Sequence, residues 1–77
     1  MSGAPGLARR SEAIGAYRDR TGQRREVLVE QVGAAAWELI DAGRSGRRVV
    51  ERLEGEQESA ASATALARDY LAQQQRA

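Results

Sequence analysis

The stretch Trp37 to Gly55, WELIDAGRSGRRVVERLEG, decides how this chain is read. An apolar segment stops at Gly43, a residue suited to a helix C-terminus. Ser45 follows as a candidate N-cap. From Gly46 to Leu53, Val49, Val50 and Leu53 fall on one side of a short amphipathic segment. Arg44, Arg47, Arg48 and Arg52 surround it. The order predicts an apolar helix, a tight turn and a stubby basic second helix.

Upstream, Gln23 to Ala42 reads as the longest helix. Leu28, Val29, Val32, Ala36, Leu39 and Ile40 fall within an arc of roughly 120°, the width of a core-facing stripe. Glu30, Glu38 and Asp41 lie on the far side, and Val27 opposite the stripe is expected to be exposed. Trp37 sits at the margin of the stripe, as the largest core side chain and a candidate interface anchor. Leu7 to Arg20 reads as a helix with Leu7, Ile14 and Tyr17 on one face, ended by Thr21-Gly22.

Downstream, Glu54 to Glu58 is a polar turn, and Glu58 to Gln74 an alanine-rich helix. Ala60, Ala63, Ala67, Tyr70 and Leu71 form its core face, with Leu66 at the edge. Ala61, Ala65 and Ala72, beside Arg68, form a second smooth face suited to docking or dimerisation. The expected fold is all-α, an orthogonal bundle of four helices over 7–20, 23–42, 46–53 and 58–74. Residues 1–6 are expected to be a flexible arm, 7–74 a single helical domain and 75–77 a frayed terminus.

Residues 38–55, ELIDAGRSGRRVVERLEG, resemble the helix-turn-helix modules of bacterial regulators and recombinases. The resemblance implies that Val49 and Leu53 take the buried positions of the first motif helix and that Ser45 caps it. It also implies a helix-turn-helix centre over 37–72, with duplex DNA as partner. Arg44, Arg47 and Arg48 would then contact phosphate, with Arg9 and Arg10 reaching along the backbone from the N-terminal arm. Ser59, Ser62, Ala63 and Thr64 would occupy the recognition helix.

Composition narrows the classes of chemistry. All twelve basic residues are Arg, and there is no Cys or His. Disulfide and thiolate chemistry are therefore excluded, and every cation is a permanently charged planar fork. No metal-ligand spacing, phosphate loop or cofactor motif is present, so the chain reads as a non-enzyme without cofactor or small-molecule substrate. No apolar run approaches a membrane span, which predicts a cytoplasmic protein.

The net charge of +1 conceals segregation. Arg9, Arg10, Arg18, Arg20, Arg24 and Arg25 against Glu12 and Asp19 give residues 1–25 a balance of +4. Residues 26–43 carry Glu26, Glu30, Glu38 and Asp41 with no Arg, giving −4. Residues 44–52 return to +3. The expected function is a small DNA-binding regulatory protein that contacts backbone through arginine as a dimer. The alternative is a helical interaction module, an adaptor, antitoxin-like partner or inhibitor, that does not read DNA.

Overall fold

The computed structural model describes residues 10–55 and 60–76. It overturns the all-α expectation: among the described residues, four antiparallel strands form a meander, followed by one helix. The strands are β1 (Ser11–Arg18), β2 (Arg24–Gly33), β3 (Ala36–Gly43) and β4 (Gly46–Glu54), in spatial order β1-β2-β3-β4. The helix α1 (Ala60–Arg76) packs on one face of the sheet.

The segment expected to be one long helix is a hairpin. In β2, Val27 and Val29 point inward and are fully buried, while Glu26 and Glu30 point the other way. Inward pairs run Gln31 with Trp37, Val29 with Leu39, Val27 with Asp41 and Arg25 with Gly43. A helix would have left Val27 in water; a two-residue period buries it. Asp41, expected on a solvated face, is fully buried for the same reason.

The stretch 37–55 is likewise not a helix-turn-helix. Gly43 and Gly46 pair across a two-residue connection, Arg44-Ser45, and join β3 to β4. Gly46 has φ +125°, open to glycine and strained for other residues. Ser45 caps no helix, and Val49 is 51% exposed on the face away from α1.

Three register shifts set extra residues Ile14, Val32 and Val50 into β1, β2 and β4. Bulges twist a strand and re-aim its side chains, and Ile14 and Val50 both pack on the core. That core joins Val27, Val29, Trp37 and Leu39 to Ala63 and Ala67, whose small side chains let the helix lie close. Gly15 gives similar room on β1: a Cβ there would lie 2.6 Å from Leu71 Cδ2.

Among the described residues no helix lies over the opposite face, yet Ile40 is only 1% exposed. Leu28 and Val49 flank it. Arg47, paired with Ala42 on the next strand, reaches diagonally to Glu30 at 3.2 Å and so lays its aliphatic stem over this strip. No helix among the described residues is long and apolar enough to cross a membrane.

Candidate functional site

The meander places the β1–β2 and β3–β4 connections at the same end of the sheet. That end collects Arg18, Arg20, Arg24 and Arg25 from the first hairpin, and Arg44, Arg47 and Arg48 from the second. Two basic segments twenty residues apart in sequence thus become one surface.

Asp19 builds the first connection. Its carboxylate accepts from the backbone N–H of Thr21 at 2.9 Å, the N–H of Gln23 at 3.0 Å and the Thr21 hydroxyl. The Thr21 bond, with the two backbone donors, holds the Asp19 carboxyl below its ordinary pKa despite some desolvation. Gly22 supplies the φ of +86° that closes the loop. The second connection needs only Arg44 and Ser45. Arg20, Arg24 and Arg44 are exposed on these tips, with no side-chain bond to another described residue.

Behind the tips lies a polar network centred on Asp41. Arg25 Nε donates to Asp41 Oδ1 at 2.7 Å, Nη2 to the Asp41 carbonyl at 3.1 Å and Nη1 to Ser45 Oγ at 2.9 Å. The guanidinium is thereby fixed in plane and is 12% exposed. Gly43 makes that position available, since a Cβ there would sit 3.0 Å from Arg25 Nη1 and 3.1 Å from the Arg24 carbonyl. The hydroxyls of Tyr17 and Tyr70 each donate to Asp41 Oδ2 at 2.5 Å. Arg48 Nη2 donates to the Tyr70 hydroxyl at 3.0 Å and lies 3.6 Å from Asp41 Oδ2.

Burial pushes the Asp41 carboxyl upward, but the two phenols and the Arg25 guanidinium outweigh it and hold the group below its ordinary pKa. Burial and the bond to Asp41 raise both tyrosines, so they remain neutral donors. The hydrogen bond to Asp41 likewise strengthens the hold of Arg25 on its proton. Two guanidiniums meet one buried carboxylate. They face a cleft of about 430 Å³ lined by Tyr17, Asp19, Arg25, Ser45, Gly46, Arg47 and Arg48. With Arg47 and the Asp19 carboxylate also on the cleft wall, three cations stand against two anions. The arrangement suits an oxyanion held by fixed, charge-assisted donors.

Of the residues singled out in the sequence, Arg44, Arg47 and Arg48 lie at the same end of the sheet, but Arg47 points to the helix-free face toward Glu30 while Arg48 points to the face that carries α1. Arg10 does not join them. Its carbonyl accepts from Gln31 at 2.8 Å, and it lines a separate cleft with Trp37 and Ala60 at the opposite end. Trp37 is 5% exposed within the core. Ala63, expected on a recognition helix, is fully buried against the sheet, with exposed Ser62 and half-buried Thr64 beside it. Ala61, Ala65, Arg68 and Ala72 are exposed on the outer side of α1. The arm over 1–6, Arg9 and Ser59 lie outside the described residues.

Sequence reading missed Asp41, Tyr17 and Tyr70 as site residues. The available signal was alternation: Trp37, Leu39 and Asp41 share one face only if the segment is a strand. No family model matches the chain, and no match to it is found among curated proteins or solved structures.

Proposed function

We propose that this chain is a small nucleic-acid-binding module that grips the backbone of duplex DNA with the arginines of its two hairpin tips. The observation carrying this reading is the side-by-side placement of exposed Arg20, Arg24 and Arg44 on the two connections, backed by Arg48. Neighbouring strands lie ~4.8 Å apart, so the tips are roughly 10 Å from one another. Duplex DNA carries one charge per ~1.7 Å of axis, and a basic surface of that width meets several phosphates at once. The acidic side chains Glu30, Glu38, Glu51 and Glu54 lie toward the other end, which favours end-on approach by the hairpins.

The grip is to backbone rather than sequence. The only helix among the described residues turns Ala63 and Ala67 into the core, and the exposed tip side chains are arginines placed singly on the two connections. A helical interaction module has less support, since the outer face of α1 offers small side chains and no large apolar anchor.

Duplex affinity measured between 50 and 200 mM salt tests the proposal. Log K should fall linearly with log salt. The triple substitution Arg20→Ala, Arg24→Ala, Arg44→Ala should flatten the slope by about one per arginine removed. Absence of duplex binding at low salt would end it.

A further inference from the structure

Backbone gripping uses the exposed tips but leaves the cleft behind them unexplained. Of the five N–H donors of Arg25, three are spent on Asp41 Oδ1, the Asp41 carbonyl and Ser45 Oγ. Two remain on a guanidinium that is already immobilised. Arg48 commits one donor to Tyr70 and keeps the rest at the cleft wall. Ser45 Oγ accepts from Arg25 and donates a long 3.5 Å bond to Gln23 Oε1, which a closer oxyanion could displace. Asp41 lies beneath these groups, fully buried and capped by two phenols, so its charge is spent on the donors and not on a ligand.

Two classes of phosphate present themselves to such a cleft. A phosphodiester has two free oxygens and one charge, and sugar extends from both sides of it. A phosphate monoester has three free oxygens, a charge near −1.5 to −2, and a single attachment. The cleft, about 430 Å³, is open to solvent and walled by residues of both hairpins, with Asp19 among them as an opposing charge. Preset donors from three side chains match three oxygens better than two.

We infer that this cleft seats the terminal phosphate monoester of a nucleic-acid strand, clamped by Arg25 and Arg48 with Ser45 as third donor. The inference rests on the backbone-gripping reading, which brings strand ends to the hairpins. The ligand chemistry is the monoester itself, whether carried at a 5′ or a 3′ end.

Fluorescence anisotropy on three duplexes of one sequence tests it, with 5′-phosphate, 3′-phosphate or hydroxyl ends only. At equal ionic strength, one phosphorylated duplex should bind roughly ten-fold tighter than the hydroxyl-ended one. Inorganic phosphate, exchanged for chloride at constant ionic strength, should erase that preference. Arg48→Ala and Ser45→Ala should each reduce it, with thermal melts confirming that both variants fold. Equal binding of all three duplexes with a normal salt slope would overturn the monoester seat while leaving the backbone grip standing. Failure of all three to bind would remove the grip and this inference with it. A preference that survives both substitutions would place the seat elsewhere. A phosphoserine peptide that displaces the duplex at lower concentration than inorganic phosphate would assign the cleft to protein and refute a strand end.

Discussion

At one end of the sheet, Trp37, Leu39 and Val29 pack against the first turns of α1. At the other, the same two strands and the same helix, joined by β1, bring Asp41, Arg25, Tyr17 and Tyr70 together. The central residue of each end is buried, with Trp37 at 5% and Asp41 at 0% exposure. Their energetics differ in kind. Apolar burial is non-directional and insensitive to pH. The polar end depends on a charge whose desolvation is offset only while every partner is in place. One end holds the helix on the sheet; the other holds two guanidiniums in a geometry that has a use beyond stability.

The sharpest way to break this comparison is to remove the centre of each end. Asp41→Ala strands the nearly buried Arg25 guanidinium without its partner, and should cost about 3–5 kcal/mol in urea unfolding. Trp37→Ala should cost a similar ~3–5 kcal/mol through lost burial and a cavity. Acid separates the two. The Asp41 carboxyl titrates lower in the folded chain than the ordinary ~3.9 of the unfolded one. The unfolded state therefore takes up the proton first. This stabilisation is complete above about pH 4 and is lost as pH falls toward the folded value. The deficit of Asp41→Ala relative to wild type should shrink below pH 4, while that of Trp37→Ala should not. An Asp41→Ala deficit that stays constant down to pH 2 would show that the network contributes packing and not charge.

A smaller effect belongs to the phenols. Tyr17→Phe and Tyr70→Phe each delete one bond to an ionised acceptor and should cost about 1.5–3 kcal/mol, with the double variant less than additive because both meet the same oxygen. Burial and the contact with Asp41 raise both phenols above the ordinary ~10. For a raised group the stability is present below the unfolded value and lost as pH climbs past it. Wild-type melting temperature should therefore decline from about pH 10 upward, and the double phenylalanine variant should lack that share of the decline.

The unequal legibility of the two ends has a physical cause. Periodicity located the alanine-rich helix closely, including Ala63 and Ala67 on its buried side and Leu66, Tyr70 and Leu71 packed beside them. Arginine segregation pointed to two basic segments that the fold does unite. The central error came from Leu28 and Ile40. They are apolar residues on the helix-free face, so β2 and β3 present apolar side chains on both sides and mimic a helical stripe. Ala34, Ala35 and Ala36 then bridge the turn with strong helix formers. The counter-signal was glycine at Gly22, Gly33, Gly43 and Gly55, a spacing of about ten residues typical of short strands. The Asp41 network was beyond any local pattern. Its phenols are 24 and 29 residues away in sequence, and only strand register and helix docking bring them together.

The mildest test concerns the helix-free face, where Glu30 and Glu38 stand directly opposite each other on β2 and β3. Like charges in that position are destabilising. Strand β4 supplies the answer: Arg47 reaches Glu30 at 3.2 Å, and Arg52 reaches Glu38 at 3.3 Å while also pairing with Glu54. These arginines are half exposed, so solvent screening limits each pair to the range of surface ion pairs, ~0.2–1 kcal/mol. Arg52→Ala should cost that much at low ionic strength, because it unmasks the Glu30–Glu38 repulsion. At 1 M salt, where the screening length falls to ~3 Å, the deficit should nearly vanish. Most of the Asp41→Ala deficit should persist there, since Asp41 is fully buried and its main partner Arg25 nearly so. If salt abolishes both deficits equally, the Asp41 cluster is as wet as the open face, and the contrast between an inner charge network and an outer one fails.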